Sequence, residues 1–553
     1  MEQQKDVVLS NAIVWAGKEL QQIQGGMCIR DGKVQKIFHQ ETVQGKSSMD
    51  LGGMHIIPGL IDAHTHFFIS AMLPMGEDAG TWTSRHDALQ AIEAACRSNG
   101  SDKRWVFFFG LDNARWKSAS LPRIHEIDKV SMGSPVLVVD TTCHRGLVST
   151  EALRRTGISR DTLRVPGDID IHLNGTPKGT VWEDALTRVL FTLFRENLKT
   201  FSDEEKVKLL LDEADKCLQK GLTHVNDPGL PSDVQRLFKE AQKHTPLKLS
   251  WCVTAFEGLC APPELKDELD SICSEHAPKS VKFFLDGANR AAASMPVISG
   301  LKAVFRAAMD SISLKNHSPF SLLLEQKSTL RGGKIHMPYL RFNHPAELTR
   351  RARFFTEKGY RLVMHALGNV AACQAARVVK DLGVGSSSSI EHVLIMDKEG
   401  LEPFASCGAV ASIQPGFIPY YADAIEKRGI VPYLKAFPLR SLSDRGVRIC
   451  ISSDGPCGAD DPLHNIRRAV DRKKADGSVF DPDERISKVQ ALAAGTFGGS
   501  SSLGLKNDGL IEGTPATFCV VDKDPFSDTS RVVQTWIDGN RVWETDHAQL
   551  LYD

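Results

Sequence analysis

Six residues of this chain have side chains suited to a divalent metal centre: His64, His66, Lys282, His365, His392 and Asp454. His64 and His66 stand two apart in the run Pro58-Gly59-Leu60-Ile61-Asp62-Ala63-His64-Thr65-His66. If that run is a strand, alternation puts both imidazoles on one face. Two neutral imidazoles converging on a point suit a divalent transition metal. His365 lies in Val363-Met364-His365-Ala366-Leu367-Gly368, His392 in Ile390-Glu391-His392-Val393, and Asp454 in Ile451-Ser452-Ser453-Asp454-Gly455-Pro456. Each alone has an ordinary structural reading, as a core histidine or an Asp-Gly turn. Together they fall at the ends of apolar runs, and barrel enzymes keep their chemistry at the C-terminal ends of strands.

Lys282 interrupts the apolar run Ser280-Val281-Lys282-Phe283-Phe284-Leu285-Asp286. A lysine there is costly unless it is paired or modified. Two readings stay open. In one, Lys282 is a buried cation paired with Asp286 or Glu391. In the other, burial lowers its pKa and makes the amine nucleophilic, so that it takes up carbon dioxide and becomes a carbamate able to bridge two metals.

These residues need a frame that brings distant strand ends together. Eight strand candidates supply one: Ile61–His66, Gly221–Asp227, Leu247–Ala255, Ser280–Gly287, Tyr360–Ala366, Ser388–Val393, Ala409–Pro415 and Arg448–Asp454. Helical patterns over Asp203–Gln219, Ala346–Lys358 and Val370–Asp381 separate several of them. Strand and helix in alternation predict an α/β fold, a (β/α)8 TIM-like barrel, over about residues 58–504. The gap between the first two candidates is too long for one helix, so an inserted subdomain is expected at about 67–220, with strands at Trp105–Gly110 and Pro135–Asp140. Ala288 to Pro345 is a second long connection. Long loops after barrel strands cover the catalytic face, so both are expected to wall the pocket. The two ends read differently. Asp6–Trp15, a hairpin from Gly26 to Phe38 around Asp31-Gly32, Thr517–Val521 and Val532–Trp543 all alternate as strands. Residues 1–57 and about 505–553 are therefore expected to form one small β-sandwich domain.

Composition narrows the function classes. Lys plus Arg is 67 against 68 for Asp plus Glu, which argues against nucleic acid or an acidic membrane as partner. No apolar run is long enough to span a bilayer, and the first residues carry acid and no apolar core of a secretory signal. The twelve cysteines include no Cys-x-x-Cys pair, consistent with reduced thiols and a cytoplasmic location. Cys143 and Cys457 lie close to the motifs. Packing as small core residues is the favoured reading for them, and lining a pocket the other.

The motif set resembles the amidohydrolase superfamily, in its amidohydrolase 3 or YtcJ-like branch, which includes N-substituted formamide deformylase. The matching pieces are the Pro58–His66 run, Val281-Lys282-Phe283-Phe284-Leu285-Asp286-Gly287, His365-Ala366-Leu367-Gly368, Ile390-Glu391-His392, and Ser453-Asp454-Gly455-Pro456 followed by Asp461-Pro462-Leu463. The resemblance also takes in the region of Pro122, Asp128 and His144, and the return from Gly509 to Val521. It implies that His64, His66 and Asp454 hold one metal and His365 and His392 another, with carboxylated Lys282 between them. One or two ions per chain are expected, with zinc the expected metal. It implies hydrolysis of a non-peptide C–N bond, in an amide or N-acyl amine, by metal-activated hydroxide. Asp454 would act as base and then acid, and His144 would help orient the substrate carbonyl. A small-molecule substrate is the expected partner, and a homodimer is compatible with the pattern. The alternatives are an ester or lactone hydrolase on the same site, or a binding or signalling protein on an inherited barrel. Where the branch has Gly-Ser and Ser-Arg-Thr after the fourth strand, this chain has Ala288-Asn289-Arg290-Ala291. Where it has Gly-Asp-Arg after the fifth, this chain has Gly368-Asn369-Val370, and near the C-terminus Ala516-Thr517 replaces Ala-Asp. These departures fall at positions that line the pocket in the branch.

Overall fold

The computed structural model describes residues 7–39, 48–99, 103–113, 116, 120–159, 161, 168–172, 174–254, 276–287, 291–302, 305, 309, 329–337, 340–341, 344–427 and 433–545. Ala255 and the departure at Ala288 to Arg290 lie outside the described residues, as do 1–6 and 546–553 of the terminal segments.

Eight strands form one parallel sheet in chain order around the middle of the molecule. They are β1 (Leu60–Asp62), β2 (Leu222–Leu230), β3 (Lys248–Thr254), β4 (Ser280–Phe284), β5 (Arg361–Ala366), β6 (Ser389–His392), β7 (Val410–Ile413) and β8 (Ile449–Ile451). β8 and β1 share no ladder, and closure is made just past their ends. Ser453 N–H donates to Asp62 Oδ1 at 3.2 Å, and Asp454 N–H donates to the His64 carbonyl at 2.8 Å. The barrel expected from the alternation is thus the observed fold.

The helices begin where their sequence says they should. Ser202 and Glu205 form a reciprocal capping box that starts the helix Asp203–Gln219. Pro345 at a first helical position, where a missing N–H costs nothing, opens Pro345–Thr356.

Two further sheets frame the barrel. The insertion carries a six-stranded sheet containing Val106–Leu111 and Val136–Asp140. It leads into α1 (Glu183–Leu198), a helix whose buried face packs Leu186, Val189, Leu190, Leu193 and Phe194. The other sheet has eight strands and draws on both ends of the chain. In it Phe518–Val521 pairs on one side with His55–Pro58 and on the other with Val532–Ile537. Its hairpin turns at Asp31-Gly32, with φ of 51° and 74°, the left-handed pair that a two-residue turn needs. Leu9, Val14, Met27, Ile56, Phe518 and Trp536 make a core separate from that of the barrel. Among the described residues no helix is long and apolar enough to cross a membrane.

Candidate metal centre and active site

β1 ends at Asp62, so His64 and His66 lie beyond it and not on alternating strand positions. Their imidazoles converge for a different reason. The Asp62 carboxylate accepts the His64 N–H at 3.2 Å, Asp454 N–H takes the His64 carbonyl, and His66 N–H donates to the Gly455 carbonyl at 2.7 Å. The segment is held against the end of β8 by its backbone. His64 Nε2 then stands 3.3 Å, and His66 Nε2 3.2 Å, from Asp454 Oδ1. His64, His66 and Asp454 each offer a ligand atom, all within 4.8 Å of one another.

The remaining histidines crowd the same mouth. The His392 ring is centred 4.8 Å from that of His64 and 4.5 Å from that of His365. Among the described residues they do not join the three-residue cluster at that radius. Hydrogen bonds on the far side of each ring set its orientation. His64 Nδ1 meets Glu391 Oε2 at 2.7 Å, and His392 Nδ1 meets Gln414 Oε1 at 3.0 Å. The His64 ring therefore keeps Nε2 for the mouth, as metal-ligating histidines do, while His392 Nδ1 also lies 3.9 Å from Asp454 Oδ2. The sequence suggests Glu391 as one partner for Lys282 and no role for it toward His64. Its position directly before His392 was the available signal.

Lys282 is 1% exposed, and its Nζ has no hydrogen-bond partner among the described residues. Pairing with Asp286 does not occur. Asp286 Oδ2 accepts the N–H groups of Ala292 and Gly368 at 2.9 Å each, and Oδ1 accepts that of Leu367 at 3.0 Å. Burial pushes the Lys282 ammonium below its ordinary pKa, with Glu391 acting against the shift. Glu391 is held at about 2: burial opposes this, but His64 and Lys282 prevail. Burial also resists ionisation of Asp454, yet His392, His64 and His66 hold it well below the usual carboxylate range. Burial drives His365 well down and His392 to about 3, favouring neutral rings.

The donor set fits a cation. Among the described residues Asp454 Oδ1 is buried beside two imidazole nitrogens without a hydrogen bond to either; His365 Nε2, outside this cluster and 3.7 Å from Asp286 Oδ1, is also buried and unbonded. Converging atoms left unsatisfied among themselves are otherwise costly.

Above this mouth is a cavity of about 80 Å³ lined by both long connections. The insertion contributes Cys143, His144 and α1, and the second connection contributes Arg341. His144 Nδ1 meets Glu183 Oε2 at 2.7 Å, and its ring lies 6.1 Å from that of His365. Burial lowers the His144 pKa, but Glu183, Asp454 and Asp140 together raise it above the ordinary value. Cys143 and Cys457 line the cavity and also pack against the barrel core, so both readings of this pair hold; the ten described cysteines are free thiols.

Residues 48–543 match the Amidohydrolase family model. The chain is 25% identical to N-substituted formamide deformylase of Arthrobacter pascens, covering 98% of each protein. It is 24% identical to Protein LONG AFTER FAR-RED 3 of Arabidopsis thaliana, covering 97% of this chain and 91% of that one. An uncharacterized metal-dependent hydrolase from Pyrococcus horikoshii shares the fold, with a TM-score of 0.68 at 20% identity over 94% of this chain and 98% of that one. With a barrel of eight parallel strands, histidines at its mouth and a match across nearly its whole length, the chain belongs to the amidohydrolase family.

Proposed function

We propose that the protein hydrolyses the C–N bond of a small amide or N-acyl amine at the mouth of the barrel, with a divalent metal, zinc by the nature of its ligands, as cofactor. The observation that carries this reading is the approach of two Nε2 atoms to Asp454 Oδ1 at 3.2 and 3.3 Å, buried and without hydrogen bonds. The likeness to N-substituted formamide deformylase supports the choice of bond. His64, His66 and Asp454 would hold one ion, and His365, His392 and a carboxylated Lys282 would supply a second position. When bound, the metal would lower the pKa of water toward neutrality and polarise the scissile carbonyl.

The chain's own groups do the rest. Asp454, kept ionised, takes the proton of the attacking water and returns it to the leaving nitrogen. His144 has Nδ1 committed to Glu183, so Nε2 is the atom left to donate to the carbonyl oxygen as negative charge develops there. The apolar wall above excludes bulk water, which strengthens both effects.

The test combines elemental analysis with a panel of N-acyl amines and matching esters. Metal-bound protein should cleave amides, and His64→Ala or Asp454→Ala should lose metal and turnover together. Full-rate hydrolysis by a verified metal-free preparation would overturn the metal mechanism. Faster turnover of esters than of matching amides would overturn the choice of bond, and metal-loaded protein that cleaves neither would make it a binding protein.

A further inference from the structure

The cavity has two unlike walls. Toward the barrel stand the imidazoles and Asp454; toward the insertion stands α1. Glu183, Leu186, Thr187, Leu190 and Phe191 of α1 all line it. Their spacing of i, i+3, i+4, i+7 and i+8 is one face of a helix. Beyond Glu183 that face carries no charge, and Ile69, three residues past His66, extends it. The charges at its edge are matched within the wall itself. Glu183 holds His144, Arg341 Nη2 lies 3.6 Å from Glu183 Oε2, and Arg341 also pairs with Asp184. The Arg341 guanidinium sits 5.6 Å from the centre of the Phe284 ring. The described wall therefore presents apolar surface and no uncompensated charge to whatever projects from the reacting carbonyl.

We propose that α1 is the specificity element of the site: Leu186, Leu190 and Phe191, with Ile69, select a neutral substrate carrying an apolar substituent of a few carbon atoms and reject a charged one. This rests on the proposal that substrate binds at the barrel mouth. The cavity, about 80 Å³, must also take the reacting carbonyl, so a short chain or a small ring fits beside it best. Each methylene buried there is worth roughly fourfold in affinity. A carboxylate in the same place finds no free cation among the described lining residues, and its desolvation goes uncompensated.

Hydroxamic acids test this without turnover, because the headgroup stays constant while the tail varies. Zinc-loaded protein is titrated calorimetrically with acetohydroxamic acid, pentanohydroxamic acid and succinic acid monohydroxamate. Pentanohydroxamate should bind at least tenfold more tightly than acetohydroxamate, and also at least tenfold more tightly than the carboxylate-bearing compound. Leu190→Lys should shrink the first ratio and reverse the second. Should that variant fail to fold, Ile69→Lys at a half-buried position makes the same test. Equal affinities in the unaltered protein, or ratios unchanged in a folded lysine variant, overturn the proposal. If the ranking holds but no amide is cleaved, the catalytic reading fails and α1 remains the selector. If amides are cleaved while the ranking is flat, only the role of α1 fails.

Discussion

His392 is the position at which strand alternation and function part company. Glu391 is the register partner of His365, so both face the barrel axis, and alternation would turn His392 away. Instead His392 has φ of 74° and Val393 φ of 43°, left-handed values that bring consecutive side chains inside. For a β-branched residue such as Val393 this costs about 1–3 kcal/mol. The strain places a carboxylate behind His64 and an imidazole in front of it. Glu391→Gln should weaken metal binding by about 10–100-fold, read by competition with a chelator, because His64 loses its anionic anchor. The same pair gives metal-free protein a pH signature. The Glu391 pKa is depressed from 4.5 to about 2, so its stabilisation is present above about 4.5 and lost as pH falls toward 2. A shift of that size is worth on the order of 3 kcal/mol. Denaturant unfolding of metal-free protein at pH 7, above that window, and at pH 3, inside it, should show a loss that Glu391→Gln lacks; parallel curves would refute it. Lys282 carries the other residue-scale prediction. Its amine is buried and unbonded, so metal-loaded protein should show added mass of one carbon dioxide at Lys282 in intact-peptide analysis. Lys282→Ala should lose activity, with part restored by short carboxylic acids that replace the missing bridge. A plainly unmodified lysine beside two bound metals would sink the carbamate.

At the scale of elements, the insertion and the barrel meet at Gly287, and a larger residue there has a definite consequence. A Cβ on Gly287 would stand 2.3 Å from Glu183 Oε1 and 2.4 Å from its Cδ. The Glu183 side chain must then shift and release His144. Gly287→Ala should lower kcat at least tenfold with metal content unchanged, and loss of metal along with activity would instead place the damage in the barrel. This junction marks the limit of what the sequence made legible. The eight barrel strands were readable because each is a short apolar run with a chemically distinct end. His64, His365, His392 and Asp454 stand out for the same reason. The partners that orient them did not, because Glu391, Gln414 and Glu183 reach their histidines through tertiary contacts that no local periodicity records. The convergence of His64 and His66 was expected from strand alternation, yet it arises from backbone hydrogen bonds beyond the strand. Asp286 illustrates the reverse: its spacing from Lys282 suggested an ion pair, but three backbone N–H groups claim its carboxylate.

For the whole molecule, the sheet made from both ends is tied to the part of the barrel that carries the metal motif. We propose that residues 1–57 and 505–553 act as one unit against 58–504. Gly59 N–H, one residue before β1, donates to the Thr517 carbonyl at 3.1 Å. The Cys519 thiol donates to the Gly221 carbonyl at 3.0 Å, at the start of β2, and Thr535 Oγ1 donates to the Leu218 carbonyl at 2.6 Å. A chain ending at residue 504 would lose the strand that covers His55–Pro58 and would bare Ile56 and Val14, both fully buried. An unpaired apolar edge of this kind promotes association. Such a chain should be insoluble, or soluble with reduced metal content because β1 has lost its anchor. A gentler probe is Thr535→Val, which keeps the shape and removes one donor to the Leu218 carbonyl, leaving Gly221 N–H at 3.0 Å. It should cost about 0.5–1.5 kcal/mol, the net worth of one hydrogen bond. Thermal unfolding should therefore begin about one degree lower, while metal content at room temperature stays unchanged. A soluble chain ending at residue 504 with full metal content and unchanged thermal stability would show instead that the barrel stands without the terminal sheet.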